Sequence, residues 1–143
     1  MEAYGPITAK QVVQLSGLIG PGDGSRLIGL VKDAVKAGRL VPSLSLDSLG
    51  GTFGAGVELA QRVRTFGLST YVEDGAHCAS ACFLVFAAGK QKFASYGARI
   101  GVHAGKDPTG DADRAAAGTD VMRRLLTALG VPPSITKSVE SWT

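Results

Sequence analysis

Leu68-Ser-Thr-Tyr-Val-Glu-Asp-Gly-Ala-His-Cys-Ala-Ser-Ala-Cys82 is the stretch whose reading decides the fold. Leu68–Glu73 is rich in β-branched and aromatic residues and reads as a strand. Asp74-Gly75 turns the chain. An apolar run from about Ser80 to Ala87 then reads as a short buried helix. A strand that passes through a sharp turn directly into a helix is the unit from which parallel α/β sheets are built.

The same unit recurs on the N-terminal side. Lys10–Ser16 reads as a strand, and Gly17–Gly24 as a turn with Asp23 or Ser25 available to cap a helix. Leu27, Ile28, Val31, Ala34 and Val35 form one helical face, closed by Gly38. Leu40–Leu46 is the next strand, and Asp47-Ser-Leu-Gly-Gly51 a sharp glycine turn. Val57, Ala60, Val63 and Phe66 mark a helix that stops at Gly67. Beyond the opening stretch, Gln91–Ala94 and Ala98–His103 read as short strands, and residues 105–110 as a polar loop. Val121, Met122, Leu125, Leu126 and Leu129 line a helix closed by Gly130. Pro132-Pro133 opens a last helix, Ser134–Ser141. This β-α-β-α-β-α order implies a single α/β domain over residues 1–143, with a largely parallel sheet. Ligands in such sheets sit beyond the carboxyl ends of the strands. The turns at 47–51 and 75–80 and the strand end at His103 are expected on that side.

The chain has 143 residues, enough for one well-packed core. The formal charge is only +3, and Lys10, Arg26, Lys32, Lys36, Arg39, Arg62, Arg64, Lys90 and Lys92 are scattered along the chain. No basic stripe interleaved with aromatics appears, so nucleic-acid binding is not indicated. No apolar run approaches a membrane span. The first residues, Met-Glu-Ala-Tyr-Gly-Pro, have neither a basic nor an apolar leader segment. The expectation is a cytoplasmic protein or a trimmed mature form. The last residues, Ser141-Trp142-Thr143, read as an interrupted or just-finished helix, which leaves truncation of the C-terminal part open. Cys78 and Cys82, with His77 nearby, are too few for a metal centre. A disulfide at this spacing would be tight on a helix, and two small buried thiols are the alternative.

Three elements carry chemistry. Ser80 stands at a helix N-terminus, where free N–H groups and positive potential favour a developing oxyanion. A serine at that position is also the commonest helix cap. Gly50-Gly51 follows a buried strand and permits close approach of backbone to a substrate. His103 ends a strand between Gly101 and Gly105. A histidine of ordinary pKa, ~6.5, takes a serine proton at neutral pH. His77, the other histidine, lies three residues before Ser80; it is an alternative base, and its place in the turn is the other reading.

Ser48-Leu-Gly-Gly51, Cys78-Ala-Ser-Ala-Cys82 and Arg99-Ile-Gly-Val-His103, in this order, resemble the Clp protease proteolytic subunit and its relatives in the ClpP/crotonase superfamily. The likeness covers about residues 12–140. It is strongest to a branch of ClpP-like proteins, often predicted to be periplasmic, with a Cys-x-Ser-Ala-Cys elbow. The resemblance implies a βαβ superhelix and a serine peptidase or amide hydrolase. Ser80 would be the nucleophile, His103 the base, and the N–H groups of Gly51 and Ala81 the oxyanion hole. It also implies a peptide or protein substrate and a homo-oligomer formed partly through residues 111–130, with no cofactor. Any ATPase partner is left open.

The chain departs from the family pattern in two places. Leu49 replaces a proline, and the stretch matching the orienting aspartate, Thr136-Lys-Ser-Val-Glu-Ser-Trp142, offers only Glu140 as a carboxylate. Asp107, Asp111 and Asp113 follow His103 in a loop. Lys106 is the one lysine near the position a Ser–Lys site would use, since the following helix has Arg123 and Arg124 instead. Two other readings are an inactive ClpP-like scaffold and a crotonase-type acyl-CoA enzyme.

Overall fold

The computed structural model describes residues 2–4, 10–101, 124 and 126–131 of the chain. The elements are β1 (Glu2–Tyr4), β2 (Lys10–Ser16), α1 (Asp23–Lys36), β3 (Leu40–Asp47), α2 (Phe53–Phe66), β4 (Ser69–Val72), β5 (His77–Ala79), α3 (Ala81–Ala87), β6 (Lys92–Ala94) and β7 (Arg99–Gly101). Five strands form one sheet in the order β1-β2-β3-β4-β6, and β5 pairs with β7 in a small second sheet. β2, β3, β4 and β6 run parallel, and β1 joins the edge antiparallel to β2. The chain forms two compact units, 1–100 and 101–143.

The first unit is a mixed α/β structure built on its parallel strands. β3 is central, so both its faces are covered: Leu44 and Leu46 are fully buried, and Ser45 between them is 3% exposed. That is why the second half of this strand, Leu44–Leu46, is a continuous buried run instead of a clean alternation. Val13 and Leu15 from β2, Leu27 from α1, and Leu59 and Val63 from α2 complete the core. Each contributes about 2 kcal/mol by leaving water. α1 ends at Ala37, with Gly38 beyond it at φ 77°, and α2 is closed by Gly67 at φ 64°. Both are stops that the glycine positions predict.

Three local expectations differ from the structure. Neither Asp23 nor Ser25 is the N-cap of α1; Gly22 is, because the Asp23 carboxylate accepts the Gly20 N–H at 2.9 Å and becomes the first helical residue. Glu2–Tyr4, unassigned from sequence, is recruited as an edge strand by β2. The elbow is not entered directly from β4: the chain first makes the three-residue strand β5. In the second unit, 124 and 126–128 are helical, and the helix closes as expected through Gly130 at φ 89°, with the Val131 N–H returning to the Leu126 carbonyl at 3.0 Å. The expected helix Ser134–Ser141 lies outside the described residues.

Candidate active site

The site begins where β3 ends. Ser48 continues the strand by one residue and pairs in parallel with Cys78 of β5. Its N–H donates to the His77 carbonyl at 2.7 Å, and its carbonyl accepts the Ala79 N–H at 3.1 Å. The Asp47 carboxylate accepts the His77 N–H at 3.0 Å. Two sequential residues at the end of β3 therefore hold β5 in place, and β5 leads straight to Ser80.

Ser48 also shapes the glycine turn. Its buried hydroxyl accepts the Gly50 N–H at 3.1 Å and donates to the Gly50 carbonyl at 3.1 Å. The Gly50 carbonyl takes the Ile19 N–H at 2.9 Å, and the Thr52 N–H donates to the Ile19 carbonyl at 3.1 Å. Both glycines are required by space. A Cβ on Gly51 would land on the Ile19 carbonyl, and one on Gly50 would sit 2.9 Å from the Cβ and 3.4 Å from the Oγ of Ser80. The glycine turn is thus pressed directly against the Ser80 side chain.

Ser80 is the only non-glycine residue with positive φ among the described residues, at φ 57° and ψ −123°. Such a conformation costs a residue with a side chain on the order of 1–3 kcal/mol. A strained strand-to-helix turn with the serine at its apex is the geometry of a nucleophile elbow. Ser80 occupies the N-cap position of α3 yet makes no side-chain capping bond. The cap reading of this serine therefore does not describe it: its hydroxyl bonds none of the helix N–H groups. Ala81 follows as the first residue of α3 and is buried against α2, where a Cβ on Gly56 would lie 2.9 Å from the Ala81 Cβ. The N–H groups of Gly51 and Ala81 find no acceptor among the described residues.

Cys78 and Cys82 form a disulfide. The two cysteines do not share one helix: Cys78 is on β5 and Cys82 on α3, and their Cα atoms are 5.1 Å apart across the reversal at Ser80. Both cysteines are fully buried. His77 starts β5, and its side chain lines an open cleft of about 340 Å³ with Gly17, Leu18, Asp47, Ser48 and Leu49. That cleft does not include Ser80. His103, Glu140, Lys106, Asp107, Asp111 and Asp113 lie outside the described residues. Strand β7, which leads to His103, pairs with β5, and beside that pairing the Arg99 N–H donates to the carbonyl of Ala76, the residue before β5, at 2.9 Å. Sequence reasoning missed the parts played by Asp47 and Ser48; the available signal was a hydroxyl two residues before the glycine pair, the spacing of a side-chain-stabilised turn.

No family model matches the chain, and no curated protein matches it. Solved structures do. ClpP1 from Listeria monocytogenes superposes with a TM-score of 0.67 at 17% identity, over 90% of this chain and 78% of that one. A lysine-to-alanine variant of a membrane-bound stomatin-specific protease, in complex with a substrate peptide, gives 0.69 at 18%, over 91% of this chain and 64% of that one. The ClpP protease catalytic domain from Plasmodium falciparum gives 0.65 at 12%, over 91% and 72%. The fold is the mixed α/β fold of the ClpP-like proteases.

Proposed function

We propose that this chain is a serine peptidase or amide hydrolase of the ClpP type. The observation that carries the reading is the backbone of Ser80, held at φ 57° and ψ −123° without a capping bond while Gly50 packs on its side chain. A core or surface serine has no reason to bear that strain, and a helix cap would use its hydroxyl. The likeness of the fold to proteases, one of them solved with a substrate peptide, adds support.

In this mechanism Ser80 Oγ attacks a carbonyl carbon as His103 takes the hydroxyl proton. The Gly51 and Ala81 N–H groups receive the oxyanion. The proton passes from His103 to the leaving amine, and a water activated by the same imidazole then hydrolyses the acyl-enzyme. Glu140 is the candidate for orienting the imidazole. The substrate class is a peptide or protein, and the working form a homo-oligomer.

The test is covalent labelling by a fluorophosphonate probe. Full-length protein labels at Ser80, and Ser80→Ala abolishes the label while leaving a cooperative thermal transition. A folded full-length protein that does not label overturns the reading.

A further inference from the structure

We propose that the Cys78–Cys82 disulfide is a positioning element for Ser80: it holds the elbow in the conformation that makes the serine reactive. The inference rests on the reading of Ser80 as nucleophile.

Ser80 sits at the centre of the five-residue ring that the disulfide closes, two residues after Cys78 and two before Cys82. Four residues of extended chain would span about 13 Å; here the Cα atoms of the two cysteines are 5.1 Å apart. The chain doubles back between the two cysteines, and Ser80, with its positive φ, is the middle residue of that reversal. A disulfide tolerates Cα separations of only about 4.4–6.8 Å. Any change in the Ser80 backbone must keep those two Cα atoms within that range, so the closed bridge limits how β5 and α3 can turn about the residue.

The other contacts at the elbow do not do this. The Ser48 pairing holds β5 to the end of β3, and the Thr70 hydroxyl donates to the Phe86 carbonyl at 2.7 Å, holding the far end of α3 to β4. Each secures one side of Ser80. Across Ser80 itself, the Phe83 N–H to the Ser80 carbonyl at 2.9 Å belongs to the helix and leaves φ free. The disulfide spans the residue.

Two parts of the proposed chemistry depend on that one backbone setting. The φ of Ser80 directs its Oγ, and its ψ sets the plane of the peptide that carries the Ala81 N–H. An opened bridge lets nucleophile and oxyanion donor turn together. Both cysteines are fully buried, so the bridge is a fixed part of the site, reached by reductant only when the elbow opens.

The experiment compares fluorophosphonate labelling of the full-length protein in three forms: oxidised, reduced, and reoxidised. A water-soluble phosphine takes the disulfide to two thiols, with water supplying the protons and the oxygen of the phosphine oxide. Thiols are counted after denaturation. A Cys78→Ala/Cys82→Ala variant serves as a fourth arm that needs no reductant. The expected result is a maximal labelling rate at least about tenfold lower in the reduced form and the variant. The probe concentration for half-maximal rate and the cooperative thermal transition should be retained, and reoxidation should restore the rate. Equal rates in oxidised and reduced protein overturn the proposal. So does loss of the folded state in both the reduced protein and the variant, which makes the bridge a general staple. No labelling of the folded, oxidised protein overturns the nucleophile reading itself and leaves the bridge no reactive serine to position.

Discussion

Two turns meet at the candidate site, and they solve one problem by opposite means. At 48–51 the chain leaves β3 and enters α2; at 77–81 it leaves β5 and enters α3. Both need backbone that an ordinary residue resists. The first turn uses glycine, with Gly50 at φ 118° and no room for a Cβ on either Gly50 or Gly51. The second turn keeps a side chain at the awkward position, Ser80 at φ 57°. It surrounds that residue with a strand pairing, a helix contact and a disulfide. A turn whose task is to present backbone can discard its side chains. A turn whose task is to present a hydroxyl cannot, and the surrounding structure must hold the strain.

The glycine side of this comparison carries the largest expected effect. In Gly51→Ala the new methyl meets the Ile19 carbonyl, a backbone atom three residues past β2 whose residue is held by the Ile19 N–H to Gly50 carbonyl bond. Neither partner is a flexible side chain that can step aside. We expect a loss of about 3 kcal/mol in urea denaturation, together with loss of labelling at Ser80. Gly38→Ala is the control: its φ is 77°, but nothing lies within 4 Å of the new Cβ, so only the backbone cost of about 1–2 kcal/mol applies. Equal losses at the two positions would mean that conformation, not space, governs the glycine turn.

These particulars show what a reader of the sequence could and could not see. The ends of α1 and α2 were legible because Gly38 and Gly67 act locally, and the parallel order followed from strands and helices alternating along the chain. Gly51 and Ser80 were legible as candidates because a glycine pair after a buried strand and a serine opening an apolar helix are marked by the residues next to them, although their packing partners, Ile19 and Gly50, are distant in sequence. The strand β5 was not, since three residues become a strand only when Ser48, thirty residues earlier, pairs with Cys78. The disulfide is open in the sequence for a similar reason: Cys78 and Cys82 stand on a strand and a helix, not on one helix, and the spacing alone does not report that. The N-cap of α1 moved to Gly22 because the Asp23 carboxylate found a backbone donor three residues back. His103 and Glu140 were named from motif order, and their part is a matter for labelling of the His103 and Glu140 variants.

Ser48 links the two turns, and removing its hydroxyl measures how tightly they are coupled. Ser48→Ala leaves the Gly50 N–H without its acceptor in a buried position, which costs about 2 kcal/mol. The Ser48 backbone still pairs with His77 and Ala79. The labelling rate at Ser80 should therefore fall less than it does in Gly51→Ala, because the elbow keeps its anchor and only the glycine turn loosens. Should labelling fall as far as in Gly51→Ala, the two turns form one cooperative unit and the contrast between them dissolves.

The smallest effect tests the strain at Ser80 most directly. Ser80→Gly and Ser80→Ala both remove the hydroxyl and both lose labelling. They differ in what remains at φ 57°, since alanine keeps a Cβ in a conformation it resists and glycine does not. We expect Ser80→Gly to be more stable than Ser80→Ala by about 1 kcal/mol in denaturant unfolding, at the low end of the range for such residues. The gain is small because glycine also gives the unfolded chain more freedom, which offsets part of the relief. Equal stabilities would mean that Ser80 is not strained by its backbone setting. The elbow would then differ from the glycine turn only in the residue at its apex, and the disulfide would have no strained conformation to hold.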